Sequence, residues 1–325
     1  MKKNLIIGLI VIVIILAGEG VWYLQSAIQP PPASLKAVSL CPCSGLESTL
    51  LWVAKDQGYY AEHGLNVTFK EYPTGVIATQ DIFNGKLDFL LTTEYIISEP
   101  LLNKKPLWVI GTIAESDIMS VIGRRDKGIE RIPDLELKKI GVARNTMAEY
   151  FLGRFFTLNG LSLRNATVIN LQPAELVNAL VWDPYVFQIQ QQMGGNTVVW
   201  PANLGQHAYF SIVCNETLLQ EKPQIIEGLL ASLLQAETFV NSYNEEAKKI
   251  AQQQTNFDDQ YMDQDWQNHH FSVGLSQSLI TSMEDETRWR ICNNMTAVTD
   301  VPDFSNYISS DTLYRLKPSA VTIIR

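Results

Sequence analysis

The chain has 325 residues, 46% hydrophobic and 18% charged, with a formal net charge of −9. That is enough apolar material for two globular lobes, while the acidic balance excludes nucleic acid as a partner, whose phosphates need a basic surface. Four cysteines are too few for a disulfide scaffold; they leave either one long-range bridge, for which Cys214–Cys292 is the candidate pair, or separate buried thiols.

Lys2 and Lys3 precede fourteen uncharged, mostly apolar residues, Leu5 to Gly18, and a polar tether over 25–34 carries Pro30-Pro31-Pro32. A charged head before such a run is the pattern of export. The run is shorter than the roughly 20 residues of a membrane span, and no lipid-attachment cysteine follows it. Residues 1–24 therefore read either as a cleaved signal peptide or as an uncleaved anchor formed by 5–24. In both cases the remainder is expected to work outside the cytoplasm, where ATP, NAD and nucleic-acid chemistry are not expected.

From Leu35 onward the pattern is strand, loop, helix, repeated. Ala37 to Leu40 is a short strand; Leu46, Leu50, Val53, Ala54 and Gln57 fall on one helical face that Gly58 stops. Leu65 to Phe69 alternates as a half-buried strand. A short helix from Val76 ends at Asn84-Gly85, and Leu87 to Leu91 is the next strand. Leu107 to Gly111 and Ile118 to Ile122 are further strands. The theme restarts after Ile132-Pro133-Asp134 with a strand at Lys139 to Val142 and a helix whose apolar face is Met147, Tyr150, Phe151, Phe155 and Leu158. Ala166 to Leu171 and Pro173 to Leu180 repeat strand and helix. Two similar units predict two lobes with mostly parallel sheets and flanking helices. One long helix is expected over Pro223 to Gln254, followed by polar helical chain, including a solvated His269-His270, as far as Val301.

There is no phosphate-cradling glycine loop with its lysine, no dinucleotide fingerprint, no His-Glu-x-x-His and no nucleophile-elbow serine. Cys41-Pro42-Cys43 is at most half of a metal site. Polar residues do gather at the carboxyl ends of the expected strands, where open α/β sheets bind ligands. They are Cys41 and Ser44; Thr74; Thr92, Thr93 and Glu94; and Asp117. The second unit adds Arg144, Asn145 and Thr146, then Trp182, Asp183 and Tyr185. Asn145-Thr146 before a helix offers backbone N–H groups to an anion, beside Arg144, or only caps that helix. Trp182 is a stacking platform or a core aromatic. Glu94, Asp117 and Asp183 suit a ligand amine if they are not solvated loop acids.

The stretch Lys55-Asp56-Gln57-Gly58-Tyr59-Tyr60-Ala61-Glu62-His63-Gly64-Leu65-Asn66-Val67 resembles extracytoplasmic substrate-binding proteins of ABC importers, in the nitrate/sulfonate/taurine and thiamine-pyrimidine-precursor class. Asn84-Gly85-Lys86-Leu87-Asp88-Phe89 is similar to that family's Gly-x-(Ile/Leu)-Asp turn and strand. Ile132 to Val142 is similar to its entry to the second lobe, Trp182-Asp183-Pro184-Tyr185 to its Trp-(Glu/Asp)-Pro element, and Val301-Pro302-Asp303-Phe304 to its C-terminal signature. The resemblance implies a type II two-lobed periplasmic-binding-protein-like α/β fold with the C-terminal helices packed on lobe one. Lobe one would comprise 35–117 with 205–325, and lobe two 118–204. It implies capture of a small polar or anionic molecule and delivery to a membrane permease by a monomer, without cofactor or catalysis. A pyrimidine-precursor synthase-like enzyme on the same fold, and an anchored sensor or scavenger without a transporter, are the competing readings. One departure stands out: Pro173 to Leu180 runs directly into Val181-Trp182, without the family's second Gly-x-Ile-Asp turn and strand. Either the helix is shortened and Val181 begins a stub of strand, or a strand is lost; a less stable second lobe is expected.

Overall fold

The computed structural model describes residues 35–72, 75–103, 105, 107–171 and 180–324. The N-terminal run, Thr74 and most of the helix expected from Pro173 lie outside the described residues. Lys36–Arg325 forms one compact unit.

Its largest sheet has the order β11-β4-β10-β3-β1-β2. β1 (Lys36–Cys41) runs parallel to β2 (Leu65–Phe69) on one side and β3 (Phe89–Thr93) on the other. Asp88 locks the entry to β3: its Oδ2 accepts from the Ser39 N–H at 2.8 Å and from Ser39 Oγ at 2.7 Å. The Gly85 turn that delivers Asp88 has φ +67°, a conformation glycine adopts without steric cost. The sheet is mixed, not mostly parallel. β10 (Ala208–Cys214) is antiparallel to both β3 and β4 (Trp108–Ser116), and β11 (His269–Gly274) is antiparallel to β4. All seven residues of β10 are buried, as a central strand covered on both faces requires.

The remaining strands form two small sheets. β5 (Met119–Arg124) lies between β8 (Leu180–Trp182) and β9 (Thr197–Pro201), antiparallel to both. β6 (Lys139–Val142) and β7 (Thr167–Asn170) pair in parallel. β8 has three residues: the stub of strand is there, starting at Leu180. The chain passes between the large and small sheets at Asp117-Ile118 and again at 202–207. Asn203 ties these passages together, its Oδ1 accepting the Met119 N–H at 2.8 Å and its Nδ2 donating to Gln206 O at 2.9 Å.

The expected long helix is two, Pro223–Ser242 and Asn244–Thr255, broken at Tyr243, whose φ −133° and ψ 56° are not helical. Leu229, Leu230, Leu233 and Ala236 of the first are fully buried. This helix packs on helices Thr49–Asp56 and Tyr59–Glu62 and on β2, β4 and β11. Gly228 allows the close approach, because a Cβ there would sit 2.9 Å from the His63 carbonyl oxygen. Cys214 is buried, Cys292 is exposed, and both are free thiols, so the candidate disulfide is not formed. No described helix is long and apolar enough to cross a membrane.

Candidate functional site

Two groupings of polar side chains form where the ends of these elements converge. The first joins the loop after β1 to the Trp182–Tyr185 element and β11. Asp265, in helix Asp259–Asp265, is buried, and its Oδ2 lies 2.5 Å from the Tyr261 hydroxyl and 3.0 Å from His269 Nε2. Asn268 Nδ2 donates to its Oδ1 at 3.0 Å. Burial opposes the Asp265 charge, yet the His269, Tyr261 and Asn268 hydrogen bonds outweigh it and hold the carboxyl below its ordinary range. His269 Nδ1 in turn lies 2.8 Å from Ser116 Oγ. The expectation of a solvated helical His269 is corrected: it opens a strand, with Phe271 and Val273 on its buried face, and its side chain is 1% exposed.

Asp183 and Glu47 face this pair. Burial, then the Asp265 charge, pushes the Asp183 carboxyl up to about 7, with the Phe187 N–H and His269 pulling the other way. Its Oδ1 has no partner among the described residues. Glu47 is buried, accepts the Gly45 N–H at 3.3 Å, and is pushed up by burial against the pull of His269. Cys41, at the end of β1, is buried, and its thiol is raised to about 11, chiefly by desolvation. Ser44 is exposed. Trp182 and Tyr185 are half-buried and pack edge-to-face on each other, ring centroids 5.9 Å apart. Trp182 also lies against the main core, as the core-aromatic reading expects.

The second grouping lies where helices Glu94–Leu102, Met147–Leu158 and Gln277–Cys292 meet. Glu94 is no solvated acid at a strand end. It is fully buried, its Oε2 accepting the Tyr209 N–H at 2.9 Å, and it faces Glu286, also fully buried. Desolvation is the main force raising Glu94 to about 8 and Glu286 well above its usual range. The Arg290 guanidinium stands 3.8 Å over the Tyr95 ring and donates to Tyr95 O at 2.8 Å. Thr93 stands at the N-cap of helix Glu94–Leu102, and Thr92 is buried against Gly75, where a Cβ would come 2.8 Å from its Oγ1.

Arg144, Asn145 and Thr146 border this second grouping, and the chain supplies their anion itself. Asn145 is left-handed, φ +59°, and directs its N–H to Glu149 Oε2 at 2.9 Å; Arg144 pairs with Glu149 Oε1 at 3.7 Å. Thr146-Met147-Ala148-Glu149 has the spacing of a capping box, although Thr146 Oγ1 donates back to Ala143 O at 2.6 Å. Asp117 stands apart on the first passage between sheets, half-exposed and 2.9 Å from His207 Nδ1 on the second. Among the described residues, no three His, Cys, Asp or Glu side chains are placed to share a metal ion.

Glu47, Asp265, His269, Glu286 and Arg290 escaped the sequence reading. His269, Phe271 and Val273 alternate with period two, which signals a strand. Glu286 and Arg290 continue the Leu279-Met283 face of a helix, the buried face although both are charged.

The NMT1/THI5-like family profile matches residues 46–247. The chain belongs to this family. A Brucella abortus (strain 2308) relative bearing a binding-protein name is 24% identical over 213 residues, 61% of this chain and 65% of that protein. The chain thus spans about 65% of the length of the curated relatives it matches. The periplasmic aliphatic sulphonate binding protein SsuA from Escherichia coli superposes with TM-score 0.72 at 15% identity, covering 85% of this chain and 98% of that one. The desulfurization enzyme DSZB superposes with TM-score 0.61 at 12% identity, covering 86% and 98%. At these identities the likeness is one of fold, and the fold is the periplasmic-binding-protein α/β fold.

Proposed function

We propose that the chain is an extracytoplasmic solute-binding protein, the capture component of an ABC importer. It acts as a monomer whose two lobes close on a small polar molecule and present it to a membrane permease. Lobe one is 35–117 with 205–325; lobe two is 118–204. The observation that carries this reading is the meeting of Asp183, after β8 of a small sheet, with Glu47, Asp265 and His269 around the large sheet. Polar, incompletely paired groups from both sheets converge where such folds take ligands. Among the described residues, two short passages join the sheets, as a hinge requires. Residues 1–24 serve as the signal or anchor that exports the chain. Trp182 and Tyr185 supply stacking surface, while Arg144 stays paired with Glu149.

Calorimetric titration with taurine, alkanesulfonates, nitrate, pyrimidines and small amines tests the reading. Saturable binding of one of them, with no turnover, is the expected outcome. Conversion of any of them by the purified chain would shift the function to the enzymes that share this fold.

A further inference from the structure

We infer that Phe187 and Tyr261 form a latch between the two lobes, an aromatic contact made when the cleft closes and broken when it opens. This deepens the solute-binding reading above and rests on its assignment of lobes. Phe187 lies in helix Tyr185–Met193 of lobe two, and Tyr261 in helix Asp259–Asp265 of lobe one.

Helix Tyr185–Met193 has two working faces. Val186, Ile189 and Met193, three and four residues apart, join Ile122 and Val199 in the small core of lobe two. Phe187 and Gln191, also four apart, lie on another face and reach lobe one instead. The Phe187 ring meets Tyr261 edge-on with centroids 5.3 Å apart, and Tyr261 meets Phe257 at 4.4 Å. Gln191 Nε2 donates to Gln260 Oε1 at 3.2 Å. Phe187 is 7% exposed and Tyr261 3%, yet neither is part of the contiguous core of either lobe. A phenylalanine that owes its cover to the facing lobe loses that cover on opening, so its apolar area and its ring contact both favour closure.

The same two turns of chain carry the polar site. Asp183 stands four residues before Phe187 and accepts the Phe187 N–H. Tyr261 stands four before Asp265 and donates its hydroxyl to Asp265 Oδ2 at 2.5 Å. Aromatic therefore faces aromatic and carboxyl faces carboxyl across one gap. Bringing the carboxyls together is unfavourable, and Asp183 registers it by rising to about 7 through burial and then the Asp265 charge. The aromatic pair offsets that cost. From Asp265 the hydrogen bonds continue through His269 to Ser116, the residue before the first passage between sheets. Latch, site and hinge are thus one connected set.

Hydroxyl-radical footprinting of the full chain, read by mass spectrometry, tests the latch. Phe89 and Phe304, each 0% exposed within lobe one, are references that closure does not touch. Relative to intrinsic side-chain reactivity, Phe187 and Tyr261 should be oxidised several-fold faster than these references. A saturating probe, whichever of methanesulfonate, taurine, nitrate, cytosine and butylammonium binds, should slow them toward the reference rate. Phe187→Ala should weaken that probe about tenfold, through faster dissociation. Val186→Ala, which trims the lobe-two core on the same helix, should lower stability and leave affinity unchanged. Oxidation of Phe187 and Tyr261 as slow as the references in the unliganded wild type would overturn the latch, whatever binds, and place both helices in one rigid body. A bound probe that leaves their oxidation unchanged, or that binds Phe187→Ala equally well, would overturn it too. Fast oxidation of both rings with no probe bound would support the moving contact and remove the solute-binding reading.

Discussion

Burial and Asp265 push the Asp183 carboxyl up to about 7, from the 3.8 of an unperturbed aspartate. Between these values the folded protein holds a proton that the unfolded chain has lost. The contribution of Asp183 to stability therefore declines as pH rises through that window, and above about 7 its buried charge opposes the fold in full. Asp183→Asn, which cannot ionise, should remove this decline. Thermal denaturation below and above the window is expected to show the wild-type midpoint falling by several degrees more than that of the variant. Equal falls would mean that Asp183 is solvated. Asp183 was legible as a strand-end residue, because the Trp-Asp-Pro-Tyr order marks it. Its partners were not: Asp265 and His269 pair locally, four residues apart, but they reach Asp183 only through tertiary contact, which nothing local to Asp183 signals. For Glu94 the sequence left a ligand contact and a solvated loop acid open, and only its burial, with Glu286 and the Tyr209 N–H, removes the second.

At the scale of elements, helix Met147–Leu158 closes on helix Gln277–Cys292 through Gly153. A Cβ there would lie 2.5 Å from Trp289 Nε1. Gly153→Ala should push the two helices apart, at a cost of about 1–3 kcal/mol in urea denaturation. If they belong to opposing lobes, it should also weaken ligand binding. A loss of stability with unchanged affinity would place both helices in one rigid body. The small sheets make a second prediction. β7 is largely exposed, β6 and β7 pair only with each other among the described residues, and β8 has three residues. Hydrogen exchange should be faster in β6 to β9 than in β1, β3 and β10, whose residues are mostly buried; equal protection would contradict this. Periodicity located β1 to β7 because each is short, apolar and bounded by turn residues. It passed over β10, whose continuous Tyr209-Phe210-Ser211-Ile212-Val213-Cys214 run has no alternation, and it fused two helices because Tyr243 is an ordinary helical residue by composition. Strand direction was legible only within the repeated strand–helix units, where β1 to β3 and β6–β7 pair in parallel, whereas β10 and β11 enter antiparallel from the far end of the chain.

For the whole molecule, the proposed closure would bend the chain at the two passages between the large and small sheets, Asp117-Ile118 and 202–207. Asn203 holds them side by side, and in that proposal bending there would move the small sheets against the large one. Charge is distributed to match: acids without full partners, Asp183, Glu94 and Glu286, lie in the two groupings where the elements converge. The arginines beside the second grouping are already bound. Small-angle scattering of the purified chain, alone and saturated with the panel compound that binds, measures closure itself. The account predicts a smaller radius of gyration with ligand and a return to the larger value when it is dialysed away. Identical scattering in both states, with the compound bound, would contradict a protein that works by closing.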